Sequence, residues 1–396
     1  MALTELLLRP ATTNRQRARQ VRIIFGKSTV IHNHPQPENP MKPAFLTLFL
    51  AAPGIALAHS GIHFNHGDWE LACDNTGTCR AAGYQHGEDP AQAITVLLTR
   101  EAGADSSVSA RVALPVRDGS PAPEALSLQL QMDDGAAQTH GDIALKPDNK
   151  NTTRYGDLDA AQTEALLTAL KAKSARITLS VGDKDWKLSP TGSTAVLLKM
   201  DDYQQRVGTP SALIRPGKRD KAVLAPQAAP VIRAAAVPAT AAQTLNPGDA
   251  NYAVLRQKLA AKAQGKAECS ALDGNAITAA ITLYPLNSKQ QLAETPCWIA
   301  AYNTANLYAI ISADRKTVQA VAGDPNDSHH YQNGVIEGGL LGRGLGDCAS
   351  KTLHIWDGKT FVLAYEGGSE QCKGFPGGAW KLPTRVSKVV EAKAAP

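Results

Sequence analysis

The sequence is poor in the signatures of common catalytic and metal sites. Its six cysteines include no C-x-x-C pair, which argues against a zinc ribbon or a thioredoxin-like redox motif. It has no G-x-S-x-G elbow and no H-E-x-x-H pair, so the commonest serine-hydrolase and zinc-protease patterns are missing. Gly26-Lys27-Ser28-Thr29 looks like the tail of a phosphate-binding loop, but Val21 stands where the first glycine is needed. Aromatic residues make up only 5 % of the chain, so Trp69, Trp186, Trp298, Trp356 and Trp380 are expected to anchor modest β-rich cores. The apolar run from Ala44 to Ala52 is about half of what a membrane helix requires, so no membrane span is expected.

That short run has another reading. Met41 and Lys42 give it a positive start, Pro53 and Gly54 break it, and Ala56-Leu57-Ala58 supplies a small-x-small cleavage pattern. Residues 41–58 are therefore read as a signal peptide, and residues 1–40 as a spurious or disordered leader. Cleavage near Ala58 would make His59 the first residue of an exported chain, and no Cys follows Ala58 to accept a lipid. The formal charge of +5 belongs to this prefix: residues 1–58 hold seven Lys/Arg and two Asp/Glu, leaving 34 residues of each sign. A balanced mature chain gives no electrostatic case for nucleic acid or an anionic membrane.

All six cysteines lie beyond the prefix, which suits an oxidising compartment. Six cysteines allow about 15 pairings. Their spacing favours the sequential set Cys73–Cys79, Cys269–Cys297 and Cys348–Cys372, in a structural role. A labile, redox-active Cys73–Cys79 pair is the alternative.

The expected architecture is mainly β with a few short helices, in two sandwich-like, α+β domains. Residues 59–215 read as strands such as Leu126 to Met132, which alternates strictly, interrupted by two helices. The first helix, Asp159 to Lys173, has Asp159 and Gln162 in capping-box positions; the second, Thr194 to Arg206, follows Ser193 as N-cap. Residues 216–247 are rich in Ala and Pro and read as an extended linker. Residues 248–390 resume with a helix, Asp249 to Ala263, and then strands. Among these, Asp357-Gly358 is expected to turn a hairpin as a type I′ pair. Composition thus predicts two halves able to fold independently.

The run Gly67 to Tyr84 (GDWELACDNTGTCRAAGY) and the run Thr191 to Gly217 resemble an exported bacterial family, domain of unknown function 1176. The segments CWIAAYNTANLYAIIS and WDGKTFVLAYEGGSEQC are similar to that family's C-terminal half. Asp68-Trp69 with Cys73 and Cys79 is the most specific part. The N-terminal half also resembles, more loosely, the invasion-associated locus B family of Gram-negative bacteria. The resemblance implies a periplasmic or secreted protein and carries no established reaction.

Candidate chemistry is sparse. Ser328-His329-His330 follows Asp324-Pro325-Asn326-Asp327 in a polar loop, but adjacency supplies neither a base at hydrogen-bond distance nor an oxyanion hole. Gly342-Arg343-Gly344-Leu345-Gly346 lacks the helix of a dinucleotide fingerprint, and Asp201-Asp202 are helix neighbours that point apart. A freed His59 with His63 or His66 would suit copper, since an N-terminal histidine offers both amine and imidazole. The expected role is therefore non-enzymatic binding of a protein or small ligand of the cell envelope, with no cofactor. A copper protein, and then a hydrolase centred on His329 or His330, are the alternatives.

Overall fold

The structure is a computed structural model that describes residues 60–116, 122–266, 269–272 and 279–391. The signal-peptide reading, the leader and His59 fall outside the described residues. Across those that are described the chain is mainly β, with three short α-helices.

The N-terminal half begins with β1 (Ile62–His66), β2 (Trp69–Cys73), β3 (Cys79–Tyr84), β4 (Thr95–Arg100) and β5 (Val108–Pro115). It continues with β6 (Ala125–Met132), β7 (Gln138–Ala144), β8 (Lys146–Pro147), β9 (Thr153–Asp157), β10 (Ala175–Val181) and β11 (Lys184–Leu188). Two antiparallel sheets result, of order β1-β2-β3-β4-β5-β9-β8 and β11-β10-β6-β7. Period-two alternation puts Trp69, Leu71, Val96, Leu98 and Val112 of the first sheet into one core with Leu126, Leu128, Leu130, Ile177 and Leu179 of the second. Trp69 is fully buried, donates its indole N–H to the Ser189 carbonyl at 2.7 Å, and lies against Gly83, where a Cβ would sit 2.3 Å from the ring.

Helices α1 (Ala160–Lys171) and α2 (Ser193–Tyr203) pack on this half. The expected capping box forms: the Asp159 side chain accepts from the Gln162 N–H while Gln162 reaches back to the Asp159 N–H. At α2 the expectation is corrected. Gly192, at φ 99°, is the N-cap, and Ser193 lies inside the helix, its hydroxyl donating to Leu170 O of α1.

In the other half, β12 (Val231–Ala234) and β13 (Gln243–Leu245) precede α3 (Tyr252–Ala263). Next come β14 (Ile281–Pro285), β15 (Gln290–Ile299), β16 (Thr304–Ser312), β17 (Val318–Ala322), β18 (Ser328–Gln332) and β19 (Val335–Gly338). The series ends with β20 (Ala349–Trp356), β21 (Phe361–Ser369), β22 (Pro383–Arg385) and β23 (Lys388–Glu391). One sheet is ordered β13 to β17 and the other β18 to β22. Leu307, Ala309 and Ile311 face α3 through Leu255 and Leu259, whereas Tyr308 and Ile310 face Tyr331, Ile336, Trp356 and Phe361 of the second sheet. This half is thus layered helix, sheet, sheet. The β20–β21 hairpin forms as expected, but its loop spans four residues, Asp357 to Thr360. The Asp357 carboxylate accepts the N–H groups of Lys359 and Thr360, stabilising that longer turn.

The three disulfides follow sequence order, with Cα separations of 3.9, 4.2 and 4.6 Å for Cys73–Cys79, Cys269–Cys297 and Cys348–Cys372. None joins one half to the other. The union is made by side chains instead. The outer face of the seven-stranded sheet carries Ala72, Ala82, Tyr84 and Ala113, and Phe375, Ala379 and Leu382 cover it. Trp380 packs on Tyr155 with ring centroids 5.4 Å apart. Both faces of β2 are therefore buried, and all the described residues fall in one compact unit. Nor is the Ala/Pro-rich segment solvated throughout, as its composition suggests. Leu224 is buried in the N-terminal core, and β12 pairs in parallel with β23 near the chain's end.

Candidate functional site

The strands whose inner face builds the N-terminal core present polar side chains outward, against the segment that follows β21. Asp68 precedes β2 and receives the Lys373 ammonium at 2.7 Å, with both side chains at least nine-tenths buried. Burial alone would raise the Asp68 carboxyl, but hydrogen bonds from Lys373, Ser189 and His86, and the Lys373 charge, hold it below its ordinary value. Glu70, fully buried, accepts from the Tyr84 hydroxyl and the Ser369 hydroxyl at 2.6 Å each, and from the Glu370 N–H at 3.0 Å. Burial, then the Glu70 charge, push the Tyr84 phenol well above its usual value.

His63 stands at the edge of this network. Its Nε2 lies 3.3 Å from Glu70 Oε2, an ion-pair distance rather than an aligned hydrogen bond, and its Nδ1 lies 3.4 Å from Glu370 Oε1. Asn65, two residues along the same face of β1, donates to the other Glu370 oxygen. Burial works to lower the imidazole pKa, yet Glu70 and then Glu370 outweigh it and the pKa is raised.

A groove of about 670 Å³ opens from this point across β20 and β21. Its lining includes His63 and Glu370 at one end, Glu366, Gly367, Gly368 and Ser350 along it, and Asp327, Leu340 and Leu341. The glycines let neighbouring backbone approach closely: a Cβ would lie 2.6 Å from Leu382 O at Gly367 and 2.3 Å from Ala349 O at Gly368. A second cavity, about 550 Å³, lies beside Trp186 and the β10–β11 turn. Close to the groove, Arg343 grips Asp347 through two hydrogen bonds of 2.8 and 2.6 Å and reaches Glu88 of the other half at 2.9 Å.

The residues singled out from sequence fall in several places. His63 and His66 are three apart on β1, hence on opposite faces, and each His63 nitrogen serves a different carboxylate. The expected copper pair needs His59, which lies outside the described residues. His329 and His330 are exposed on β18, and His329 Nδ1 meets the Asp327 carbonyl at 3.2 Å. Ser328 is fully buried and its hydroxyl accepts the Asp324 N–H, so this trio forms no nucleophile–base pair. Asp201 and Asp202 do point apart: Asp201 is buried 3.6 Å from Arg100, and Asp202 pairs with Lys199 outside. All six cysteines are spent in disulfides. Asp347 lies beside Cys348 and Cys372, but those sulfurs are bonded to each other and the carboxylate is held by Arg343 and the Gly374 N–H. Reading by sequence missed Glu70, Glu366, Glu370 and Lys373, and noticed Asp327 only as a neighbour of His329 and His330. Only Glu70 carried a signal, as the lone charge in Trp69-Glu-Leu-Ala-Cys73.

Fold and groove together define a disulfide-bonded, β-rich protein whose two halves join around a buried ion pair and leave a cleft on one sheet. Residues 63–387 match the family described as "Protein of unknown function (DUF1176)", and the chain belongs to it. It is 25 % identical over 345 residues to the uncharacterized protein YpfG of Escherichia coli K12, a match covering 79 % of this chain and 90 % of that one. Among solved structures it is similar to invasion associated protein B of Bartonella henselae. That match has 17 % identity and a TM-score of 0.24, covering 36 % of this chain and 99 % of the other.

Proposed function

We propose that this is a non-catalytic binding protein of the Gram-negative periplasm, with the groove across β20 and β21 as its ligand site. The groove itself carries the reading. At about 670 Å³ it has the capacity of a small-molecule or short-peptide site, and it combines leucines at one rim with a few polar groups. His63 and Glu370 border it, and both are held by the buried junction between the halves, so that end is preorganised. Three disulfides accord with an oxidising compartment.

The test is native mass spectrometry of the protein released from periplasm, beside a Leu341→Trp variant that fills the groove from its half-exposed rim. Retained small-molecule mass in the wild type, absent from the variant, is the expected result. Recovery from the cytoplasm with the prefix intact, or bound mass unaffected by the filled groove, would overturn the reading.

A further inference from the structure

Charges that balance along the sequence are unevenly placed in the C-terminal half. Residues 252–266 hold Arg256, Lys258, Lys262 and Lys266 and no Asp or Glu. Leu255, Leu259 and Ala263 bury one side of α3 against its sheet. Ala253, Val254, Gln257 and Ala261, three or four apart, form the opposite, exposed side. Val254 is the largest apolar side chain of that stripe and is 52 % exposed. Lys258 and Lys262 stand one turn apart on the same flank, a like-charge pair that disfavours the helix. The helix dipole favours Lys262, which lies in the last turn, but does nothing for Lys258.

Neighbouring turns add to this flank. The Lys258 ammonium donates to the Lys316 carbonyl at 2.6 Å, which sets the β16–β17 turn, with Arg315 and Lys316, beside α3. The Ala313 N–H donates to the Lys289 carbonyl at 2.9 Å and brings the β14–β15 turn to the same end. Lys262, Lys266, Lys289 and Arg315 make no ion pair among the described residues. Lys316 meets only Asp314, at 3.7 Å, with both side chains more than half exposed. Asp249, just before α3, and Asp324, which holds Asn326 near the Lys266 carbonyl, are the other described acids at the border. The surface keeps an excess of positive charge.

This face touches neither the groove nor the cavity beside Trp186, and its cations stand on a helix flank and two turns rather than around a hollow. Such a layout suits a broad anionic plane, with phosphate groups opposite the lysines and the small-residue stripe and Val254 against the interface. We infer that α3 and the two turns form a docking face for an anionic phospholipid bilayer, a role separate from ligand binding in the groove.

The test is co-sedimentation of the full chain, purified from periplasm, with vesicles of phosphatidylcholine alone or enriched in phosphatidylglycerol, beside a binding assay with soluble polyphosphate. Binding is expected to the anionic vesicles only, and it should fall as salt rises. Lys262→Gln combined with Lys316→Gln should reduce it about twentyfold or more, at about fivefold for each cation near the surface. Val254→Ser should reduce it about threefold and leave the salt dependence unchanged. Lys184→Gln, which removes a cation of the N-terminal half, and Leu341→Trp in the groove should both leave it unchanged. Equal binding to both kinds of vesicle, binding to neither, or a loss with Lys184→Gln as large as with the double substitution would overturn the inference. Binding to polyphosphate without binding to vesicles would overturn the bilayer assignment in favour of a soluble polyanion. Neither result bears on the groove, whose own test is retained ligand mass.

Discussion

His63 shows how one side chain couples two parts of the molecule to pH. Its ring lies between Glu70, which belongs to the same sheet, and Glu370, which follows β21. Because Glu70 and Glu370 raise its pKa against the opposing effect of burial, the folded protein holds this proton more tightly than the unfolded chain does. The stabilisation is complete below the ordinary value of 6.5 and is lost as pH rises through the folded-state value. Asp68 behaves oppositely. Its lowered pKa gives a contribution complete above 3.8 and lost as pH falls through the folded-state value. Urea unfolding should therefore show stability declining above about pH 6.5, and His63→Gln should flatten that decline while leaving the acid limb unchanged. Equal slopes for wild type and variant on the alkaline side would show that His63 is not coupled to folding.

At the scale of elements, the cover over the outer face of the seven-stranded sheet is the least expected feature. Phe375, 1 % exposed, lies in this cover with Leu382, over small side chains such as Ala72 and Ala82 that let it approach closely. Phe375→Ala should cost about 3–5 kcal/mol in chemical denaturation, as for other buried Phe truncations. A loss below 1 kcal/mol would mean the cover adds little. Local signals were readable in the sequence: the alternation of Leu126 to Met132, the Asp159/Gln162 capping box and the sequential cysteines each depend on residues close together in the chain. The double burial of β2 was not, because its outer partner comes some 300 residues later in a Gly- and Pro-rich stretch with no periodicity. The groove was half legible. The polar run Asp324 to His330 drew notice for its histidines, yet both are exposed, and it is Asp327 that turns inward. Whether a side chain in a turn is orphaned depends on what packs over it, which here is β19 and β20.

For the whole molecule, composition and packing give different answers about independence. The Ala/Pro-rich segment 216–247 looks like a free tether, and no disulfide joins the regions on either side of it. Packing joins them all the same. The Asp68–Lys373 pair, the Arg343–Glu88 pair, the Glu70–Ser369 hydrogen bond and the Phe375 cover all cross between the halves. Asn75 adds two more hydrogen bonds with the Val386 backbone, of 3.1 and 2.7 Å. Separating the halves would break the Asp68–Lys373 pair and expose Phe375, Leu382 and the apolar outer face of the seven-stranded sheet to water, and it is that apolar exposure that opposes separation. Part of the segment is nonetheless open to a protease, with Lys218, Arg219 and Lys221 all exposed. Limited trypsin digestion is therefore expected to nick the chain near these residues without separating it. The two fragments should co-elute as one folded species on gel filtration and part only in denaturant. The N-terminal piece, expressed alone in the periplasm, should be markedly less stable because the outer face of its main sheet is bare. Two fragments that separate under native conditions, each with a cooperative unfolding transition, would show that the shared cluster is a contact between finished domains rather than part of one core.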